Sequence, residues 1–192
     1  MLTDALVFLI KTVFGLFTMA LLLRFYIQWA RAAHRNPLSE FLYALTDFIV
    51  KPARRLVPGF WGLDFATLVV AWFVQFVELA LVLQVAGPPL GVAAGTMVAG
   101  LALLSVVMLA KLLLYIVIAV VVCQVVVSWI NPHTPIAPLL NTLTRPFLRP
   151  LQRRVPPVAN VDLSPLILII LCQLMLMLPI AYLELAVSRL LR

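Results

Sequence analysis

Residues 92–130 run for 39 positions with a single charged side chain, Lys111. Three other stretches are almost as apolar: 5–30, 65–86 and 166–187. An α-helix rises ~1.5 Å per residue, so about 20 apolar residues cross a hydrocarbon core of ~30 Å. Each stretch is long enough. The chain has 192 residues, 65% hydrophobic and 11% charged, with a mean hydropathy of +1.15. That leaves too little polar surface to coat a water-soluble globule. The expectation is an all-α membrane protein.

Residues 92–130 could hold one span with a hydrophobic lead-in or two, and an internal repeat helps decide between them. Residues 144–173 have a degraded copy at 46–75, in which Pro52, Pro58, Asp64 and Gln75 fall 98 positions before Pro150, Pro156, Asp162 and Gln173. Sliding the first span forward by 100 positions puts Lys11 on Lys111 and Trp29 on Trp129, so the matching helix begins near Leu104. No Gly or Pro lies between Leu101 and Ile130 to reverse the chain. Four transmembrane helices are therefore expected, arranged as two parallel repeats, residues 1–90 and 91–192. The spans fall at about 5–30, 65–86, 104–130 and 166–187, with 92–103 as a hydrophobic lead-in. The first opens with Thr3 and Asp4, without a cationic lead, and is longer than a signal-peptide core, which reads as a retained span.

Each repeat carries a short amphipathic segment between its spans. At about 38–50, Leu38, Phe41, Leu42, Leu45, Phe48 and Ile49 recur with helical spacing, and Ser39, Glu40, Thr46 and Asp47 are expected to face water. At about 136–147, Ile136, Leu139, Leu140, Leu143 and Phe147 oppose Asn141, Thr142 and Arg145. Such one-sided helices suit the membrane interface. Pro52 and Pro58 are expected to break the first, and Pro146 and Pro150 to end the second. Asp64 is placed to cap the second span. Asp162, Ser164 and Pro165 signal the start of the last, and Pro179 should kink it.

The net charge of +7 is unevenly placed. Arg31, Arg35, Lys51, Arg54 and Arg55 lie in the first inter-span segment, and Arg145, Arg149, Arg153 and Arg154 in the second. With four spans both segments share a side, so the positive-inside rule puts them in the cytoplasm and both termini outside. The expected partners are anionic lipid headgroups, at about 1 kcal/mol per nearby cation, and a membrane or cytoplasmic protein. Lys51, Arg54, Arg55, Arg145, Arg149, Arg153 and Arg154 are the candidate contacts. The plainer reading is that they set topology and nothing more. A nucleic-acid partner is not expected, because no polar domain or long basic arm is present.

Charges inside a membrane helix cost about 2.5–3.5 kcal/mol, so Lys11, Glu78, Lys111 and Glu184 should find partners. Their depths suggest a Lys11–Glu78 ion pair, with Lys111–Glu184 a looser equivalent. Together with Gln75 and Gln173 these residues could alternatively line an ion path, although packing and snorkelling explain them as well. Gly91, Gly95 and Ala99 form a stripe suited to close helix approach, within the chain or in a homo-oligomer. Cys123 and Cys172 stand singly, and His34 and His133 lack supporting carboxylates, so no catalytic, metal or cofactor-binding residues are expected.

One combination of residues is distinctive: a span ending in Trp, an Asn-Pro, a short amphipathic helix, Thr-x-Pro-Phe-Leu-x-Pro-x-x-Arg-Arg-x-x-Pro-Pro from Thr144 to Pro157, and Asp-Leu-Ser-Pro from Asp162 with Gln173 beyond. It resembles the YggT family of bacterial and plastid membrane proteins, in its tandem form. The first unit departs from it, with Asp47 and Phe48 in place of Arg145 and Pro146, and Ala66 and Thr67 in place of Ser164 and Pro165. The resemblance implies a non-enzymatic protein of the plasma membrane with no catalytic residues to carry over. Family roles span envelope and cell-division organisation, osmotic tolerance with altered potassium uptake, and cytochrome b6 haem assembly in plastids. The resemblance therefore implies an organiser first, a transport component second and an assembly factor third.

Overall fold

In a computed structural model of the chain the described residues are 1–32, 36–57, 64–86, 94–131, 134–155 and 162–190. Every regular element among them is helical: α1 (Leu2–Trp29), α2 (Pro37–Leu56), α3 (Phe65–Ala86), α4 (Ala94–Ile130), α5 (Ala137–Gln152), α6 (Ser164–Met175) and α7 (Ala181–Leu190), with a π-helical turn, Leu176–Ile180, joining the last two. Four stretches are long and apolar enough to cross a membrane, namely α1, α3, Gly95–Ile130 and Ser164–Arg189. Helices are what such sequences must form there, because lipid offers backbone amides no other partner.

α1 packs along α3. α4 packs on α3 on one side and on α6 and α7 on the other. The short helix α2 rests on α1 and α3, and α5 on α4 and α6. Tyr26, in the last turn of α1, donates its hydroxyl to the Leu143 carbonyl of α5 at 2.6 Å. Both short helices thus lie at the same end of the bundle. The core sits toward that end. The buried residues of α1 are all in its C-terminal half, from Thr18 to Ile27, whereas Leu6, Phe8, Leu9, Val13 and Leu16 are exposed, as lipid-facing side chains should be.

Three sequence expectations change. The span expected from about 104 starts earlier: α4 is unbroken from Ala94, roughly 55 Å long at ~1.5 Å per residue. Pro52 lies inside α2, and Pro146 and Pro150 lie inside α5, instead of ending those helices. All three prolines are on exposed faces, where the lost backbone bond leaves a carbonyl within reach of water or headgroups, while the opposite face is held by packing. The third change concerns which side of α2 faces inward. Ser39 and Thr46, expected toward water, are buried with Leu42 and Val50, while Phe41 and Phe48 are 62% and 70% exposed. Small hydroxyl residues allow close helix approach and satisfy themselves on their own helix. Thr46 donates to the Leu42 carbonyl at 2.6 Å, and Thr144 to that of Leu140 at 2.9 Å.

The helix ends follow local chemistry. Asn36 caps α2 by accepting from the Ser39 amide at 2.8 Å, with Pro37 in the first turn. Asp162 accepts from the Ser164 amide at 2.9 Å ahead of Pro165, as its position suggested. Pro179 sits within the π-helical turn, which accommodates its ring by widening the helix. At the end of α1 the Arg31 amide bonds the Gln28 carbonyl at 3.0 Å and the Ala32 amide the Ile27 carbonyl at 3.1 Å. This pairing closes a Schellman turn, which puts Arg31 in the left-handed region at φ 53° where glycine is usual. His34, Arg35, Pro58, the turn at 87–91, Pro132, His133, Pro156, Pro157 and Arg192 lie outside the described residues.

Candidate functional site

The bundle end that carries α2 and α5 holds two basic regions of opposite character. On the first side the cations are paired. Arg24, only 2% exposed, donates from Nη1 to Thr46 Oγ1 at 2.6 Å and to Asp47 Oδ1 at 2.8 Å, and its guanidinium lies over the Tyr43 ring at 4.5 Å. Its Nη2 is 4.0 Å from Asp64 Oδ2. Asp47 also binds Lys51 at 2.9 Å, one helical turn on. Asp64, 4% exposed, receives Arg54 through both Nε, at 3.0 Å, and Nη2, and Thr67 Oγ1 at 2.7 Å.

Burial pushes the Asp64 carboxyl up, but hydrogen bonds from Arg54 and Thr67 and the charges of Arg54 and Arg24 outweigh it, so its pKa lies below the ordinary value. Asp47 follows the same logic with Lys51 and Arg24 as donors. This cluster ties the C-terminal end of α1, the helix α2 and the N-terminal end of α3 into one unit, and its cations are already neutralised. Arg55 stays exposed and outside it.

On the second side the cations are unpaired. Arg145, Arg149 and Arg153 follow one another at turns of α5 and its end, and with Arg31 from the α1 turn they line an open cleft of about 480 Å³. None of the four forms an ion pair among the described residues. The position equivalent to Arg54 is Gln152, which donates to Asp162 at 2.8 Å. Burial raises the Asp162 carboxyl, but the Ser164 and Gln152 hydrogen bonds bring it below its usual range. Arg154 is exposed and does not line the cleft.

Deeper in the bundle, Lys111 Nζ meets Glu184 Oε2 at 2.7 Å, so the pair expected to be looser is the one that forms. Lys11 is exposed and forms no ion pair with Glu78. Glu78 is buried and instead accepts from Gln75 Nε2 at 3.1 Å on its own helix. Although α1 packs along α3, Lys11 stays exposed and its ammonium does not come within ion-pairing distance of the buried Glu78 carboxylate. Gln173 lines a cleft of about 500 Å³ with Lys111 and Tyr115. Cys123 is exposed and Cys172 buried, both free thiols. The described residues hold no group of three His, Cys, Asp or Glu arranged to bind a metal ion. Gly95 faces open space and packs against no helix among the described residues.

Sequence reasoning does not single out Arg24 as a site residue, and it counts Arg31 only among the nine inter-span cations. The depth argument applied to Lys11 identifies Arg24 equally well, because it sits just inside a span end and Asp47 and Asp64 bound the same end. Arg31 carries no comparable signal, since its backbone conformation comes from the Schellman turn.

The CCB3/YggT family model matches residues 3–85 and 103–183. The chain is 32% identical over 169 residues to the "Uncharacterized protein YggT" of Escherichia coli K12, covering 88% of this chain and 85% of that protein. It is 33% identical over 167 residues to the "Uncharacterized protein PA0392" of Pseudomonas aeruginosa, covering 86% and 83%. A Haemophilus influenzae protein, also uncharacterized, is 26% identical over 159 residues, 82% of each. No solved structure matches significantly. With two family matches that together cover most of its length, this chain belongs to the CCB3/YggT family.

Proposed function

We propose that this protein is a non-enzymatic organiser of the bacterial plasma membrane, whose basic helices α2 and α5 lie in the cytoplasmic interface, bind anionic lipid and present a surface to an envelope or cell-division partner. The observation that carries this reading is the gathering of both short helices and their cations at one end of a four-helix bundle, joined by the Tyr26–Leu143 bond. Positive charge concentrated at one end favours the cytoplasmic leaflet, which leaves both termini outside.

The exposed Phe41 and Phe48 on α2 suit insertion among acyl chains. Two parallel repeats are supported by equivalent bonds. Thr46 and Thr144 each back-bond four residues earlier, and Arg54–Asp64 corresponds to Gln152–Asp162. Exposed Gly95 and Ala99 leave α4 a face for a second copy.

Photo-cross-linkers at Arg55 and Arg154 in native membranes test the proposal. Adducts with phospholipid and with one recurrent membrane or cytoplasmic protein are expected. Lipid adducts alone would contradict the organising role, and adducts with neither would contradict the whole reading.

The second reading is a transport component, favoured by the Lys111–Glu184 pair beside the cleft that Gln173 lines. Purified protein in potassium-loaded liposomes decides it. A leak above that of empty liposomes, abolished by Glu184→Gln, would replace the first reading.

A further inference from the structure

The four arginines of the second basic region have no ion-pair partner among the described residues, unlike Arg24, Lys51 and Arg54. Arg145, Arg149 and Arg153 recur every fourth residue, so they project along one face of α5, and Arg31 reaches the same cleft from the end of α1. A guanidinium presents forked donors that match phosphate oxygens two at a time, and four around one cleft provide for a highly charged anion. Arg31 adds an independent sign. It is the one non-glycine residue with positive φ among the described residues, and it occupies the Schellman position where glycine would be unstrained. An unfavourable backbone retained at the rim of a cleft is evidence that the side chain is needed there.

The surroundings distinguish a lipid from a free ion. Next to Arg31, Trp29 packs against Phe147 in a tilted pair with ring centroids 5.7 Å apart and is 41% exposed. Trp129 and Ile130, at the end of α4, are exposed at the same end. Partly exposed indole beside cationic side chains is the pattern of the level where headgroups meet acyl chains. A phosphate dissolved in water would have no use for it.

We infer that the cleft of Arg31, Arg145, Arg149 and Arg153 is a specific site for the phosphate of an anionic phospholipid headgroup, with the lipid's chains passing over Trp29 and Phe147. The site rests on the lipid-binding reading above but goes further, because it assigns the binding to one side of the molecule. It also gives the two basic regions different tasks: one uses its cations to lock α1, α2 and α3 together, and the other leaves them free for lipid.

The test is the retention of phosphatidylglycerol by the full-length protein, extracted in detergent, supplied with mixed phosphatidylglycerol and phosphatidylcholine, and measured by native mass spectrometry. Arg145→Gln/Arg149→Gln is expected to lower retention about tenfold or more, whereas Arg55→Gln/Arg154→Gln, equal in charge but outside the cleft, should change it by about twofold at most. Arg31→Gly separates binding from folding: glycine relaxes the turn, so this variant should melt no lower than the parent yet retain less lipid. Equal losses from both arginine pairs would overturn the site and leave general lipid attraction standing. A parent protein with no preference for phosphatidylglycerol would overturn both. Binding of inorganic phosphate as strongly as the lipid would overturn the headgroup assignment.

Discussion

Arg24 shows how one residue can decide the structure of a membrane-protein end. A guanidinium buried among α1, α2 and α3 is tolerated because a hydroxyl, a carboxylate and an aromatic face surround it, with Asp64 at 4.0 Å. Replacing it by Met leaves Asp47 and Thr46 without that donor. Arg24→Met should cost about 3 kcal/mol, seen as a lower melting midpoint in detergent. An unchanged midpoint would mean that the cluster adds nothing to stability.

The same cluster predicts a pH dependence. Asp47 and Asp64 both have folded-state pKa values below their ordinary ones. Their contribution is therefore complete above the unfolded carboxylate value of about 3.9 and is lost as pH falls through the lower folded values. The melting midpoint should hold from neutral pH to about pH 5 and decline in more acid solution, and Asp64→Asn should flatten that decline.

Much of this was legible in residues and some was not. Intramembrane charges announce a need for partners, but which partner depends on helix position and rotation: thirteen residues apart on α1, Lys11 is exposed and Arg24 is buried. Likewise Ser39 and Thr46 read as polar and therefore outward, yet a hydroxyl that bonds its own helix is apolar enough to bury.

At the scale of elements, the span positions were readable because apolar length and the charge gaps between stretches are properties of the sequence alone. The prolines were misleading. Pro52, Pro146 and Pro150 interrupt backbone bonding but do not stop α2 and α5, because tertiary packing on the opposite face outweighs the local loss. Pro179 acts differently, since its π-helical turn also sets how α7 is rotated relative to α4. That rotation brings Glu184 to Lys111 at 2.7 Å. Pro179→Ala should let the turn regularise and swing Glu184 away. A double-mutant cycle with Lys111→Met and Glu184→Gln should show coupling of about 1 kcal/mol in the parent and close to none in the Pro179→Ala background. Equal coupling in both would show that the turn does not position the pair.

At the scale of the molecule, Tyr26 to Leu143 and Trp72 to Ala102 are polar contacts that join the two halves. Tyr26→Phe should destabilise the protein by about 1 kcal/mol without altering either half. The larger organisation is one of asymmetry between two basic regions, with locked cations in one and free ones in the other, presented together at one end.

That shared end is the central claim, and single cysteines at Arg55 and Arg154 in a background without Cys123 and Cys172 test it directly. In intact cells, a membrane-impermeant thiol reagent should label neither position, and in inverted membrane vesicles it should label both. Labelling of one position from each side would contradict the four-span arrangement and the single basic face with it.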